Sequence, residues 1–100
     1  MTPEAEKYRD QLRAMLPELA ERFGVSELGL FGSRVRGDHR PDSDLDVLVT
    51  FLPDRTPGYI KFGTLEELLS ERLGVKVDLV PGDSLRPHVE PEVRREVQYV

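Results

Sequence analysis

The sequence predicts one α/β domain of the α+β kind, a small mixed β-sheet with helices packed mainly on one face. Three observations carry this. Hydrophobic periodicity switches between 3.6 and 2 in the order helix, strand, loop, strand, helix, strand, short helix. The second and third strands flank a helix, and such a crossover places its two strands parallel. One hundred residues, 38% hydrophobic and 33% charged, suffice for one core over residues 1–100 and not for two.

The first helix is expected from Thr2 to Gly24, because Tyr8, Leu12, Met15, Leu16, Leu19 and Phe23 recur at helical intervals and share a face. Thr2 suits the N-cap, Pro3 the first helical position and Gly24 the C-terminal stop. Pro17 conflicts with this pattern: inside a helix it removes a hydrogen bond and clashes with the preceding turn, at ~3 kcal/mol. The expectation is therefore a kink, or two helices with the second starting near Pro17.

Leu28-Gly29-Leu30-Phe31 is a short apolar strand ended by Gly32, and a polar stretch follows from Ser33 to Ser43. Leu45, Val47, Val49 and Phe51 then alternate with Asp44, Asp46, Leu48 and Thr50, the period of a strand. Pro53 to Gly58 is a loop. Phe62, Leu65, Leu68, Leu69 and Leu73 carry helical spacing up to Gly74. Val75, Val77 and Leu79 alternate with Lys76, Asp78 and Val80 in a third strand stopped by Pro81-Gly82, and a short helix is expected from about Glu92. The second and third strands should be parallel neighbours, whereas the short link before the second favours an antiparallel pair with the first.

Nineteen acidic against fourteen basic residues give a net charge of −5, so direct DNA binding is not expected. The absence of cysteine removes zinc fingers, iron–sulfur clusters and thiol catalysis, and fits a reducing cytoplasm. No apolar run approaches the roughly 18 residues of a membrane span, and Met1-Thr2-Pro3-Glu4 does not begin a signal peptide. The expected location is cytoplasmic, away from membranes.

The chemistry concentrates at two places. Asp44 and Asp46, two apart on a strand, point to one face with Cα atoms about 6.5 Å apart, opposite the apolar set. Asp78 belongs to the polar set of the third strand and can share that face if the two strands are adjacent. Convergent carboxylates repel, and divalent cations relieve them; hard oxygen ligands without His or Cys point to Mg²⁺ or Mn²⁺. A calcium loop is excluded, because its Gly and Glu places hold Val47 and Pro53. The second place is Gly32-Ser33 at the end of the first strand. Glycine lets backbone approach a ligand, and Ser33, if it opens a short helical turn, offers a hydroxyl and free N–H groups to an anion. Arg34, Arg36 and Arg40 add positive charge beside it.

A phosphate cradle, a carboxylate pair and a third carboxylate on a later strand are what nucleotidyl transfer needs. Gly32-Ser33, ten residues and Asp44-x-Asp46, within Phe31-Gly32-Ser33-Arg34-Val35-Arg36-Gly37 and Ser43-Asp44-Leu45-Asp46-Val47-Leu48-Val49, resemble the signature of the polymerase-β-type nucleotidyltransferase superfamily. Asp78, in Lys76-Val77-Asp78-Leu79-Val80, falls where that superfamily keeps its third carboxylate. Length and order resemble the minimal nucleotidyltransferases, the MntA-like antitoxins paired with HEPN-domain toxins.

The resemblance implies a nucleotidyltransferase fold core and a set of roles. Gly32 and Ser33 would contact the triphosphate, with Arg36 steadying a phosphate. Asp44 and Asp46 would ligate two Mg²⁺ ions, and Asp78 would ligate the catalytic ion and deprotonate or orient the acceptor hydroxyl. ATP would be the substrate, and AMP would pass to a hydroxyl of a HEPN-type protein partner. Larger relatives carry a further helical region for the acceptor, so a partner is expected to complete that surface here. The alternative is an antitoxin that neutralises its partner by binding alone; transfer to a small molecule such as an aminoglycoside lacks an acceptor region.

The remaining candidates are weaker. His39 could meet a phosphate but reads as a solvated loop residue, and His88 reads as structural. Tyr8 and Phe23 belong to the core stripe, and Tyr59 and Tyr99 could face a partner.

Overall fold

The computed structural model describes residues 1–100. Helix α1 spans Pro3–Phe23, with Thr2 Oγ1 accepting from the Ala5 N–H at 3.1 Å and Gly24 closing it at φ 73°. Helix α1 is a single helix, so the expected break at Pro17 into two does not occur. Pro17 and Arg13 both lie exposed, where water can solvate the carbonyl the proline leaves without a partner. The buried face runs through Leu12 and Leu19 on either side of it and packs both halves into one core.

Strand β1 (Val25–Phe31) leads through the four-residue helix α2 (Ser33–Arg36) and a polar loop to β2 (Leu45–Phe51). Helix α3 (Tyr59–Leu73), β3 (Val77–Pro81), a 3₁₀ turn at Gly82–Ser84, α4 (Glu90–Glu96) and β4 (Gln98–Tyr99) complete the chain. The sheet order is β3-β2-β1-β4, with β2 parallel to β3 and antiparallel to β1, as the connections predict. β1 begins three residues earlier than expected, because an irregularity between Val25 and Glu27 breaks the alternation by which a strand is read. β3 begins at Val77 rather than Val75, and α4 at Glu90 rather than about Glu92.

The main core lies under α1 and α3, where Leu12, Leu19, Leu65 and Leu69 meet Leu45, Val47 and Val49 of β2. The other face is only partly covered: Leu48 packs on Val93 and Val97 around α4. Helices therefore sit mainly on one face, and the acidic end of β2 meets only the start of α2 and the end of α4.

Strand β4 was not legible as a pattern, since two residues carry no period. It pairs antiparallel with β1 at Gly29 and Leu30. Gly29 makes that approach possible, because a Cβ there would stand 2.4 Å from Val97 Cγ2. The opposite edge is protected differently. Ser70 Oγ and Glu66 Oε2 of α3 accept from the Val77 and Leu79 N–H groups at 3.0 and 2.9 Å, so the outer edge of β3 offers fewer free donors.

Candidate active site

Strand register assembles the site. Phe31, the last residue of β1, pairs with Asp46, and Asp46 pairs with Asp78 on β3. Phe31, Asp46 and Asp78 therefore stand in a row across three adjacent strands, roughly 4.8 Å per strand step, with Gly32 just beyond the end of β1. Gly32 adopts φ +87°, and a Cβ there would lie 2.0 Å from Asp46 Oδ2. The Asp46 carboxylate thus rests against the Gly32 backbone, and only glycine satisfies both the dihedral and the contact. Asp44 stands one residue before β2, just outside the strand, and near enough to Asp46 and Asp78 that its charge raises both carboxyls.

Ser33 opens α2, as the anion-site reading needs. The Gly32 carbonyl accepts from the Val35 and Arg36 N–H groups, which leaves the Ser33 and Arg34 N–H groups without an acceptor inside the turn. The Ser33 hydroxyl makes no hydrogen bond within the chain, so it is available to a ligand.

The three arginines divide. Arg34 is not phosphate-facing charge: it is 6% exposed and fully engaged. Its Nε donates to the Ser43 carbonyl at 2.9 Å, Nη1 to Glu4 Oε1 at 2.6 Å and Nη2 to the Pro41 carbonyl at 3.3 Å. It ties the loop that delivers Asp44 to α1. Arg36 is half exposed and paired with Asp38 and Glu96, which hold its guanidinium above the ordinary range. Arg40 is exposed, and its backbone forms a turn with Ser43.

Electrostatics mark the row as crowded with anions. Burial raises the Asp46 carboxyl from its ordinary 3.8 to about 6, with Asp78, Asp44 and Glu96 adding repulsion in that order and Arg36 opposing it. Asp78, although largely exposed, is also raised, first by partial burial, then by Glu66 and Asp44.

The residues suit Mg²⁺ in one particular way. No three His, Cys, Asp or Glu side chains form a ready cage for an ion. Mg²⁺ does not need one, because it is commonly held by one or two carboxylates with water and substrate phosphates. An oxygen-only donor set whose charges repel fits that mode.

A cavity of about 570 Å³ lies elsewhere, toward the far ends of β2 and β3, where Thr50, Phe51, Tyr59 and Gly82 line it. Thr50 is four residues from Asp46, about 13 Å along the strand. The cavity reaches toward the acidic row through Glu66. The carboxylates Asp44, Asp46 and Asp78 gather at the opposite end of these strands.

The weaker candidates stand outside this row. His39 Nε2 lies 3.9 Å from Glu4 Oε1 on α1. His88 is exposed. Phe23 is buried and Tyr8 packs against the core, as expected. Tyr59 is 97% exposed and Tyr99 42%. Glu96 was missed in the sequence, because its role depends on where α4 ends.

A row of carboxylates beside a Gly-Ser turn on this sheet defines a nucleotidyltransferase. The nucleotidyltransferase domain family model matches residues 12–100, and the chain belongs to that family. It is 48% identical over 95 residues to "Protein adenylyltransferase MntA" of Thermococcus cleftensis, covering 95% of this chain and 94% of that protein. A solved minimal nucleotidyltransferase superposes with a TM-score of 0.73 at 39% identity, covering 93% of this chain and 92% of the other. A chain from the complex of a tri-AMPylated Shewanella oneidensis HEPN toxin with its MNT antitoxin shares the fold at TM-score 0.66 and 20% identity, covering 94% and 69%. Within the family this chain is one of the minimal nucleotidyltransferases.

Proposed function

We propose that the chain transfers AMP from ATP, with Mg²⁺, onto a hydroxyl of a HEPN-domain toxin in the cytoplasm, and so acts as the antitoxin of the pair. The row Phe31, Asp46 and Asp78 across three adjacent strands, with the Gly32 backbone against the Asp46 carboxylate, carries this reading. The adenylyltransferase name of the 48% identical relative supports it, as does the AMPylated toxin in the complex that shares this fold.

Asp44 and Asp46, with Asp78, would hold Mg²⁺, which when bound would offset triphosphate charge and favour attack at phosphorus. The Ser33 hydroxyl and N–H donate to the triphosphate, Gly32 lets it come close to backbone, and Arg36 adds positive charge. Asp78 takes the proton of the acceptor hydroxyl, a role suited to a carboxylate raised above its ordinary range by burial and by Glu66 and Asp44. The acceptor oxygen bonds to the α-phosphorus, the bond to the bridging oxygen breaks, and pyrophosphate leaves.

The test incubates this protein and its genetically adjacent partner, purified as an inactive acceptor, with ATP and Mg²⁺, and reads intact masses. The partner should gain one or more adenylyl groups with the wild-type protein and none with the Asp44→Asn/Asp46→Asn variant. A stable complex with no mass change refutes transfer and leaves neutralisation by binding alone.

A further inference from the structure

The carboxylate of Glu96 is the one feature of the site that neither the Gly-Ser turn nor the aspartates explain. Its Oε1 accepts from the Gly32 N–H at 2.8 Å and from Arg36 Nη1 at 2.7 Å. The side chain is 24% exposed, so it is held in place rather than solvated. Its position is fixed on both sides. Val93 and Val97 seat the end of α4 on Leu48, and β4 then pairs with Gly29 and Leu30, immediately before Phe31 and Gly32. The missing side chain of Gly29 lets Val97 come this close.

We infer that Glu96 is a positioning residue for nucleotide binding, a brace by which the C-terminal segment fixes the cradle. This rests on the reading above. One oxygen holds two parts of the cradle: the N–H of a glycine in a left-handed conformation, and one arm of the Arg36 guanidinium. Asp38 Oδ2 takes Arg36 Nε at 3.2 Å, so the planar guanidinium is gripped at two places while Nη2 stays free to donate. The brace needs an acceptor atom more than a charge. A glutamine, whose amide oxygen accepts from the same two donors, can serve; alanine cannot.

The test uses the full chain with ATP, Mg²⁺ and the inactive acceptor partner, comparing wild type, Glu96→Ala and Glu96→Gln. Glu96→Ala should raise KM for ATP about tenfold, the loss expected for charge-assisted hydrogen bonds, with kcat within about threefold. Glu96→Gln should bring KM back to within about threefold of wild type. Calorimetry with AMP-PNP and Mg²⁺ should show the same order in Kd without turnover, and the Gly32 amide proton should shift in an ¹H–¹⁵N spectrum further for Glu96→Ala than for Glu96→Gln. An unchanged Kd in Glu96→Ala, even with a lowered Tm, overturns the inference and makes the contact merely structural. Tighter binding in both variants overturns it the other way, since Glu96 would then compete with phosphate as a tethered anion. If wild type binds AMP-PNP but transfers nothing, adenylyl transfer fails while the Kd order still decides the role of Glu96.

Discussion

Asp46 connects the chemistry of the site to the stability of the chain, and Asp46→Asn separates them. The folded protein holds the Asp46 carboxyl at about 6, against 3.8 ordinarily. Below pH ~4 the group is protonated folded or unfolded, and it costs nothing. Between these values the folded state keeps a proton the unfolded state has lost, so stability falls as pH rises, and the full penalty remains above pH ~6. At 1.36 kcal/mol per pH unit the penalty is about 3 kcal/mol, and because Asp46 is only half-buried, screening reduces it to about 1–2 kcal/mol. Asparagine has nearly the same shape and cannot ionise. Metal-free Asp46→Asn should therefore match wild type at pH 4 and exceed it by about 1–2 kcal/mol at pH 8, or roughly 4–12 °C in Tm. Chelator-treated protein melted at intervals from pH 4 to 8 measures this directly. A gap that does not change with pH, or a variant less stable than wild type at pH 8, would refute the electrostatic reasoning. Mg²⁺ should raise the Tm of wild type more than that of the variant, by linkage.

Gly32→Ala should abolish nucleotide binding and cost about 1–3 kcal/mol of stability, since a Cβ meets both a left-handed φ and the Asp46 carboxylate; calorimetry and urea unfolding read the two effects. Arg34→Ala should destabilise by about 2–4 kcal/mol by leaving Glu4 and two loop carbonyls without their donor, and Arg34→Lys should recover only part, because lysine lacks the fork that spans all three. Pro17→Ala should stabilise by about 1–3 kcal/mol in thermal melts, by restoring a helical hydrogen bond on an exposed face.

How much of this was legible in the sequence follows the range of each interaction. The carboxylate row was readable because its logic is local: alternation predicts that Asp44 and Asp46 share a face, and the crossover rule makes β2 and β3 parallel neighbours. What alternation cannot supply is register. Only the pairing Phe31–Asp46–Asp78 shows that the cradle and the third carboxylate arrive at the same end of the sheet. Arg34 and Arg36 look equivalent as neighbouring basic residues in a polar stretch. The fold separates them, burying Arg34 against Glu4 and the 41–43 loop and leaving Arg36 at the surface.

The two-helix alternative at Pro17 failed and Glu96 was missed for one physical reason. The penalty of a helical proline depends on which face it occupies, and the value of a C-terminal glutamate depends on what lies beside the end of its helix. Both are set by packing across the sheet: Leu12 and Leu19 seat α1 on one face, and Leu48, Val93 and Val97 seat α4 on the other. The two faces then have different tasks. The α1/α3 face supplies the core that fixes the strands in register, and so the spacing of the carboxylates. The thinner α4 face, closed by a two-residue strand against Gly29, brings a single carboxylate oxygen to Gly32 and Arg36. A substitution in the first face should therefore cost stability and activity together, whereas one at the α4 brace should weaken nucleotide binding with a smaller loss of stability.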